Sequence, residues 1–200
     1  THTDAVEDAL KAVFVLSGRG EPVSTSVLAH ELGVTPPTVS IMLKRLEDHG
    51  LVRRSDDHLT ALTDHGARHA EQTVRRHRLI ETFLAKALDV PWDEVHAEAE
   101  VLEHAISDRL LARIDAALGF PRADPHGDPI PVPGTDHDEA WGLPLDGVSA
   151  GTHFRIERVY DRDSAALRYL AELGLTPGVV VDVEDREPFG GPLWVSVGGR

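Results

Sequence analysis

The chain has no cysteine and a single methionine, Met42, among its 200 residues. Without cysteine there are no disulfides, zinc–thiolate sites, iron–sulfur clusters or thiol nucleophiles. No apolar run approaches the roughly 18 residues that a membrane span needs. No basic-then-apolar N-terminal stretch reads as a signal peptide. These absences predict a cytoplasmic protein with no membrane partner. Positive charge is also scarce: 20 Lys and Arg stand against 34 Asp and Glu, a net charge of −14. Taken whole, that balance argues against nucleic acid, which prefers a basic partner.

The distribution of charge changes this reading. Residues 1–88 carry eleven basic and twelve acidic side chains, whereas residues 89–200 carry nine and twenty-two. The acid therefore sits almost wholly in the second half. Hydrophobic residues make up 41% and charged residues 27% of the chain, as in an ordinary globular protein with one or two domains, or three small ones. Twelve histidines are many for this length, and histidine is the commonest metal ligand.

Residues 4–17 show helical periodicity, with Val6, Leu10, Val13, Phe14 and Leu16 on one stripe. Gly18, Gly20 and Pro22 end this helix. Ser24 opens a second, short helix that stops at Gly33. Thr35 caps a third, with Pro36 at its first position and Gly50 at its end. Val39, Met42, Leu43 and Leu46 form its buried stripe, while Thr38, Ile41, Lys44 and Arg45 face away. Two short extended runs flank Ser55-Asp56-Asp57, a hairpin. A long helix follows from Thr63 to about Leu88. Residues 92–118 read as a further amphipathic helix or helix pair. The proline-rich stretch 122–147 is the most linker-like. The runs THFRIERVY, GVVVDVEDRE and PLWVSVGG are β-like, with a helix, SAALRYLAEL, among them.

Three short helices followed by a hairpin predict a winged helix-turn-helix, whose third helix fits the DNA major groove. Its expected DNA-contacting residues are Thr35, Pro37, Thr38, Ser40, Ile41, Lys44 and Arg45 around the third helix. Arg53 and Arg54 lie on the wing, and Arg75, Arg76 and Arg78 add positive charge further on. The threonines and Ser40 suit phosphate, and Ile41 suits a thymine methyl.

A second constellation lies at HAEAEVLEH, residues 96–104. On a helix, Glu100, Glu103 and His104 share a face, and His96 extends that ridge by one turn. His77 and Glu81 have the same i, i+4 spacing on the preceding helix, and Asp8 offers a third direction. Every donor is oxygen or imidazole nitrogen. Mn²⁺ fits such a set well, Fe²⁺ is compatible and Zn²⁺ suits it less. An acidic, His-rich solvated helix has the same spacing, so spacing alone does not decide. His65 and His69 also stand at i, i+4, but with no third ligand they read as surface.

The ordered motifs PPTVSIMLKRLEDHGLVRR, RRHRLIETFL, VHAEAEVLEHAISDRL and PHGDPIP resemble the diphtheria-toxin-repressor family of metalloregulators over roughly residues 4–133. The run LRYLAELGLTPGVVVDVEDREPFGGPLWVSVGG resembles the small β-barrel shared with ferrous-transport A proteins. The resemblance implies a mainly α chain with small β elements. Its parts would be a winged helix-turn-helix domain (1–73), a helical metal-binding and dimerisation domain (74–140) and a C-terminal small β-barrel (141–200). It implies a primary metal site of Asp8, Glu100, Glu103 and His104, and an ancillary site of His77, Glu81, His96 and Asp163. Asp8 and Glu100 stand where iron-responsive members have Met and Cys, so the chain looks like a manganese transport regulator of three-domain type. Lys11 stands where a small two-domain type has a Glu ligand.

The expected function is that of a Mn²⁺-bound homodimer that binds palindromic operator DNA and represses metal uptake genes. Fe²⁺ or Co²⁺ would be substitutes. An iron-dependent repressor of the same family is one alternative, and a carboxylate/His metallohydrolase, which would leave the winged helix unexplained, is another.

Overall fold

In the computed structural model, residues 4–135 and 141–198 are described. They divide into two compact units: the described residues of Thr1–His77 with Pro131–Ala140, and those of Arg78–Ile130 with Trp141–Arg200.

The first unit opens with helix α1 (Asp4–Gly18), α2 (Thr25–Glu31) and α3 (Pro36–Asp48). The apolar stripes predicted for α1 and α3 meet in one core, in which Leu10, Val13, Leu16, Leu28, Val39, Leu43 and Leu46 are at most 2% exposed. Burying each such leucine contributes about 1.5–3 kcal/mol. Ser24 caps α2 by accepting from the Val27 N–H. Thr35 occupies the cap position of α3 but makes no capping bond, and its hydroxyl pairs with that of Thr38 at 2.9 Å. The first two helical positions are Pro36 and Pro37, which have no N–H to satisfy. The wing is an antiparallel hairpin of β1 (Val52–Arg54) and β2 (Thr60–Leu62), with Arg53 opposite Ala61.

Helix α4 (Asp64–Leu88) begins against the wing. The Thr63 hydroxyl donates to the Gly50 carbonyl at 2.6 Å and accepts from the Gly66 N–H at 3.1 Å. Gly66 has to be glycine, because a Cβ there would lie 1.9 Å from the Leu51 carbonyl oxygen.

The second unit contains the rest of α4, then α5 (Val95–Leu102) and α6 (Asp108–Ala117). The 92–118 stretch is thus a helix pair. Its break is set by Ser107, which caps α6 by accepting from the Leu110 N–H. Ile80, Leu84, Val95 and Ala99 bury the α4–α5 contact. The barrel region comprises β3 (His153–Arg155), α7 (Ser164–Glu172), β4 (Val180–Arg186) and β5 (Leu193–Val197). Its three strands form one antiparallel sheet in the order β3-β4-β5. Strand β3 stops well short of the expected THFRIERVY. Ile156 still exchanges backbone bonds with Val179 and Gly178, but further on the chain bonds elsewhere: the Val159 N–H donates to the His126 carbonyl at 2.9 Å. Among the described residues, no helix is long and apolar enough to cross a membrane.

Candidate metal centre

Glu81 is the centre of the cluster. It sits on α4 in the second unit and is fully buried. On one side are His96, from α5, and Asp161, from the segment before α7. The Nδ1 of His96 lies 3.1 Å from Glu81 Oε1 and 3.2 Å from Asp161 Oδ2. On the other side are Asp124 and His126, from the proline-rich segment. One ligand atom from each of Glu81, His96 and Asp161 lies within 4.8 Å of the others, and the same holds for Glu81, Asp124 and His126.

Charge and burial are in tension here. Burial by itself would depress the His96 imidazolium, but the carboxylates of Asp161 and Glu81 outweigh it and push its pKa up to about 10. Burial would likewise raise Asp161, but its bond to His96 holds it at about 2. Asp124 is raised well above the usual carboxylate range, first by burial and then by the charges of Glu81 and Asp128, with Arg78 opposing. A bound divalent cation would relieve this excess of buried carboxylate.

Two buried atoms test whether a metal suits the cluster. Asp124 Oδ1 accepts from the N–H groups of His126 and Asp128, both at 2.9 Å, while its Oδ2 is buried and, apart from the neighbouring Glu81 carboxyl, meets no donor among the described residues. The Nε2 of His126 lies 2.7 Å from the Trp92 carbonyl, which can only accept. Nε2 therefore carries a proton toward that carbonyl, and Nδ1, the ring's other nitrogen, is buried and without a hydrogen-bond partner among the described residues. A carbonyl that fixes the tautomer behind a free ring nitrogen is the usual support of a metal-ligating histidine. The donors fit a hard-to-borderline divalent ion.

The other expected ligands fall as follows. Glu103 is the C-cap residue of α5, 1% exposed and still helical in its backbone, so the Glu100–Glu103 face persists past the end of the helix. His104 follows in the turn, its Nε2 3.5 Å from Glu103 Oε1. Glu100 stands 3.6 Å from His96. Asp8 lies half-buried on α1 of the first unit. His77 is buried in the same unit, with the Lys11 ammonium 3.5 Å from its Nδ1.

Asp163, expected as an ancillary ligand, lies at the start of α7. Its carboxylate caps α7 by accepting from the Ala165 and Ala166 N–H groups, both at 3.0 Å. The barrel carboxylate near Glu81 is Asp161, two residues earlier. Asp124, His126 and Asp161 are absent from the sequence-based ligand set because they lie in irregular segments, where no periodicity marks a shared face. The only available signal was the dense Asp-Pro-His-Gly-Asp run, 124–128.

The residues expected to contact nucleic acid are placed as follows. Thr35, Pro37, Thr38, Ser40, Ile41, Lys44, Arg45 and Arg53 are exposed, and Arg54 is half-buried. Ile41 is 61% exposed, unusual for its residue type. Arg75 and Arg78 do not add to this surface. Arg75 donates to the Pro131 carbonyl and Arg78 to the Pro129 carbonyl, both at 2.6 Å, so they hold the proline-rich segment.

Comparison with known proteins assigns a family to each part of this arrangement. Residues 2–58 match the iron dependent repressor N-terminal DNA binding domain. Residues 63–132 match the iron dependent repressor metal binding and dimerisation domain, and residues 143–200 the FeoA domain. The iron-dependent repressor IdeR of Mycobacterium tuberculosis is 32% identical, over 98% of this chain and 90% of its own length. The chain belongs to the diphtheria toxin repressor family of metalloregulators. Members of this family are metal-dependent transcriptional repressors, not enzymes, which sets the metallohydrolase alternative aside. A solved manganese-dependent transcriptional repressor in complex with manganese is 42% identical, with a TM-score of 0.88, over 96% of this chain and 89% of that one. The manganese regulator SloR is 35% identical, with a TM-score of 0.81, over 98% and 90%.

Proposed function

We propose that this family member is a manganese-dependent repressor whose homodimer binds palindromic operator DNA and shuts off metal uptake genes. The observation that carries the reading is the donor set. Every candidate ligand is a carboxylate or an imidazole, and the chain's one sulfur-bearing residue is Met42 on α3. Hard oxygen donors suit Mn²⁺, whereas thioether and thiolate donors favour softer ions. The manganese-dependent proteins among its structural relatives support the same reading.

In this reading Asp8, Glu100, Glu103 and His104 hold a primary ion. A second centre is built on Glu81, with Asp124, His126 and Asp161 as donors and His96 beside them. Asp8 belongs to the DNA-binding region and the other primary ligands to the helical region. Ligation by both would therefore bias the spacing of two recognition helices in a dimer. A bound divalent ion supplies the positive charge that lets these carboxylates sit together. Metal affinity and operator affinity are then reciprocally coupled. The α5–α6 region carries the exposed apolar residues Val101, Leu110 and Phe120, which suit a dimer contact. The domain limits 1–73, 74–140 and 141–200 are retained as the functional division.

An iron-dependent repressor is the second reading, favoured by the likeness to IdeR. The test uses operator DNA selected from a random pool by the metal-loaded protein, with binding then titrated against Mn²⁺, Fe²⁺ and Co²⁺. Activation by Mn²⁺ at concentrations where Fe²⁺ is ineffective supports manganese; the reverse order supports iron. Glu103→Gln and His104→Ala variants that respond to Mn²⁺ as the unmodified chain does would refute the primary site.

A further inference from the structure

The second centre draws one donor, Asp161, from the barrel region, so something must hold that segment against the helices. Asp161 lies between two anchor points. Upstream, the Val159 N–H donates to the His126 carbonyl at 2.9 Å, and the Arg158 guanidinium lies 3.7 Å from Asp128. Downstream, the Ser164 hydroxyl donates to the Asp93 carbonyl at 2.7 Å, and Arg168 Nη1 donates to Asp93 Oδ2 at the same distance. Asp93 is buried, with a side chain only 7% exposed. The approach is close: a Cβ on Gly127 would lie 1.9 Å from the Glu157 carbonyl oxygen.

The turn that carries Asp93 also carries Trp92, whose carbonyl accepts from Nε2 of His126 at 2.7 Å. We propose that the Trp92-Asp93 turn positions the second centre, with Trp92 orienting His126 and Asp93 clamping the first turn of α7 so that the barrel presents Asp161. None of these contacts needs an ion, so the donors are arranged before metal arrives. Binding then spends little on ordering the 157–163 segment. Asp93 and Arg168 are positioning residues that touch no donor atom themselves. The inference rests on reading Asp161 as a ligand of that centre.

The test measures Mn²⁺ binding to the full chain by calorimetry in a Glu103→Gln background, which isolates the second centre. Arg168→Ala is the leading variant because its side chain is 58% exposed and its loss should leave the fold intact. The expected result is a loss of Mn²⁺ affinity on the order of 10–100-fold, as for other residues that orient ligands. Arg168→Lys should restore most of it. Hydrogen exchange of residues 157–163 without metal should rise in Arg168→Ala and Asp93→Ala while the melting temperature stays near that of the parent. Wild-type affinity and exchange in Arg168→Ala, with Asp161→Ala still impaired, would overturn the clamp and leave the ligand set standing. Wild-type affinity in Asp161→Ala would overturn the ligand assignment and the clamp with it.

Discussion

The Trp92 carbonyl lies 2.7 Å from Nε2 of His126, and the two rings stack with centroids 5.8 Å apart. One backbone acceptor thereby engages Nε2 of a fully buried histidine and leaves Nδ1 as the ring's candidate ligand atom.

Asp163 and His126 should separate cleanly in mutagenesis. Asp163→Ala removes a helix cap and should cost about 1 kcal/mol of stability while Mn²⁺ affinity stays close to the parent's. Asp163→Ser, another capping residue, should recover that loss. His126→Ala should do the opposite to binding and remove the second Mn²⁺ site. Calorimetric titration alongside thermal denaturation reads both quantities.

On DNA, Lys44→Ala and Arg53→Ala should weaken binding about equally on all sequences. Each should reduce the slope of log affinity against log salt by about 1, the loss of one phosphate contact. Ile41→Ala should leave that slope alone and relax the preference at one base, because an apolar contact to a thymine methyl carries sequence information but no charge. Fluorescence anisotropy on operator variants across a salt series distinguishes the two patterns.

The junction of wing and helix predicts a large effect from a small change. Gly66→Ala forces a methyl group into the Leu51 carbonyl, which is backbone and has little room to retreat. The expected cost is about 1–3 kcal/mol. Leu43→Ala, at a fully buried site in the same core, should cost about 2–5 kcal/mol. Denaturant unfolding followed by circular dichroism measures both.

Chelation should destabilise the protein as well as silence it. Mn²⁺ at about a hundred times its Kd adds about 2.7 kcal/mol to the folded state. For a chain of this size that corresponds to about 2–4 °C in Tm per kcal/mol. Excess chelator should lower Tm accordingly and abolish operator binding in one titration, and added Mn²⁺ should restore both. A Tm unchanged by chelator would contradict ligation by this many buried groups.

Much of this protein was legible residue by residue. The stripe of α1, the Val39-Leu43-Leu46 face of α3, the wing and the Glu100–Glu103 face all follow from spacing within one element. The near-neutral first half and the acidic second half likewise separate the winged-helix region from the region rich in candidate ligands. Legibility failed where neighbours come from different elements. Arg75 and Arg78 read as free positive charge but are committed to the carbonyls of Pro131 and Pro129. The cap that Asp163 makes on α7 was likewise not read from the sequence.

By itself, the sequence determined the elements, the winged-helix order and the hardness of the donors. Period, capping and composition are local properties, and a chain without cysteine offers metal no thiolate. Only the tertiary structure decided that Glu81, Asp124, His126 and Asp161 converge. Three of these four lie on irregular backbone, whose path is set by bonds between segments far apart in sequence: Val159 to His126, Ser164 and Arg168 to Asp93, His126 to Trp92. No pattern along one segment records which carbonyl another segment will find.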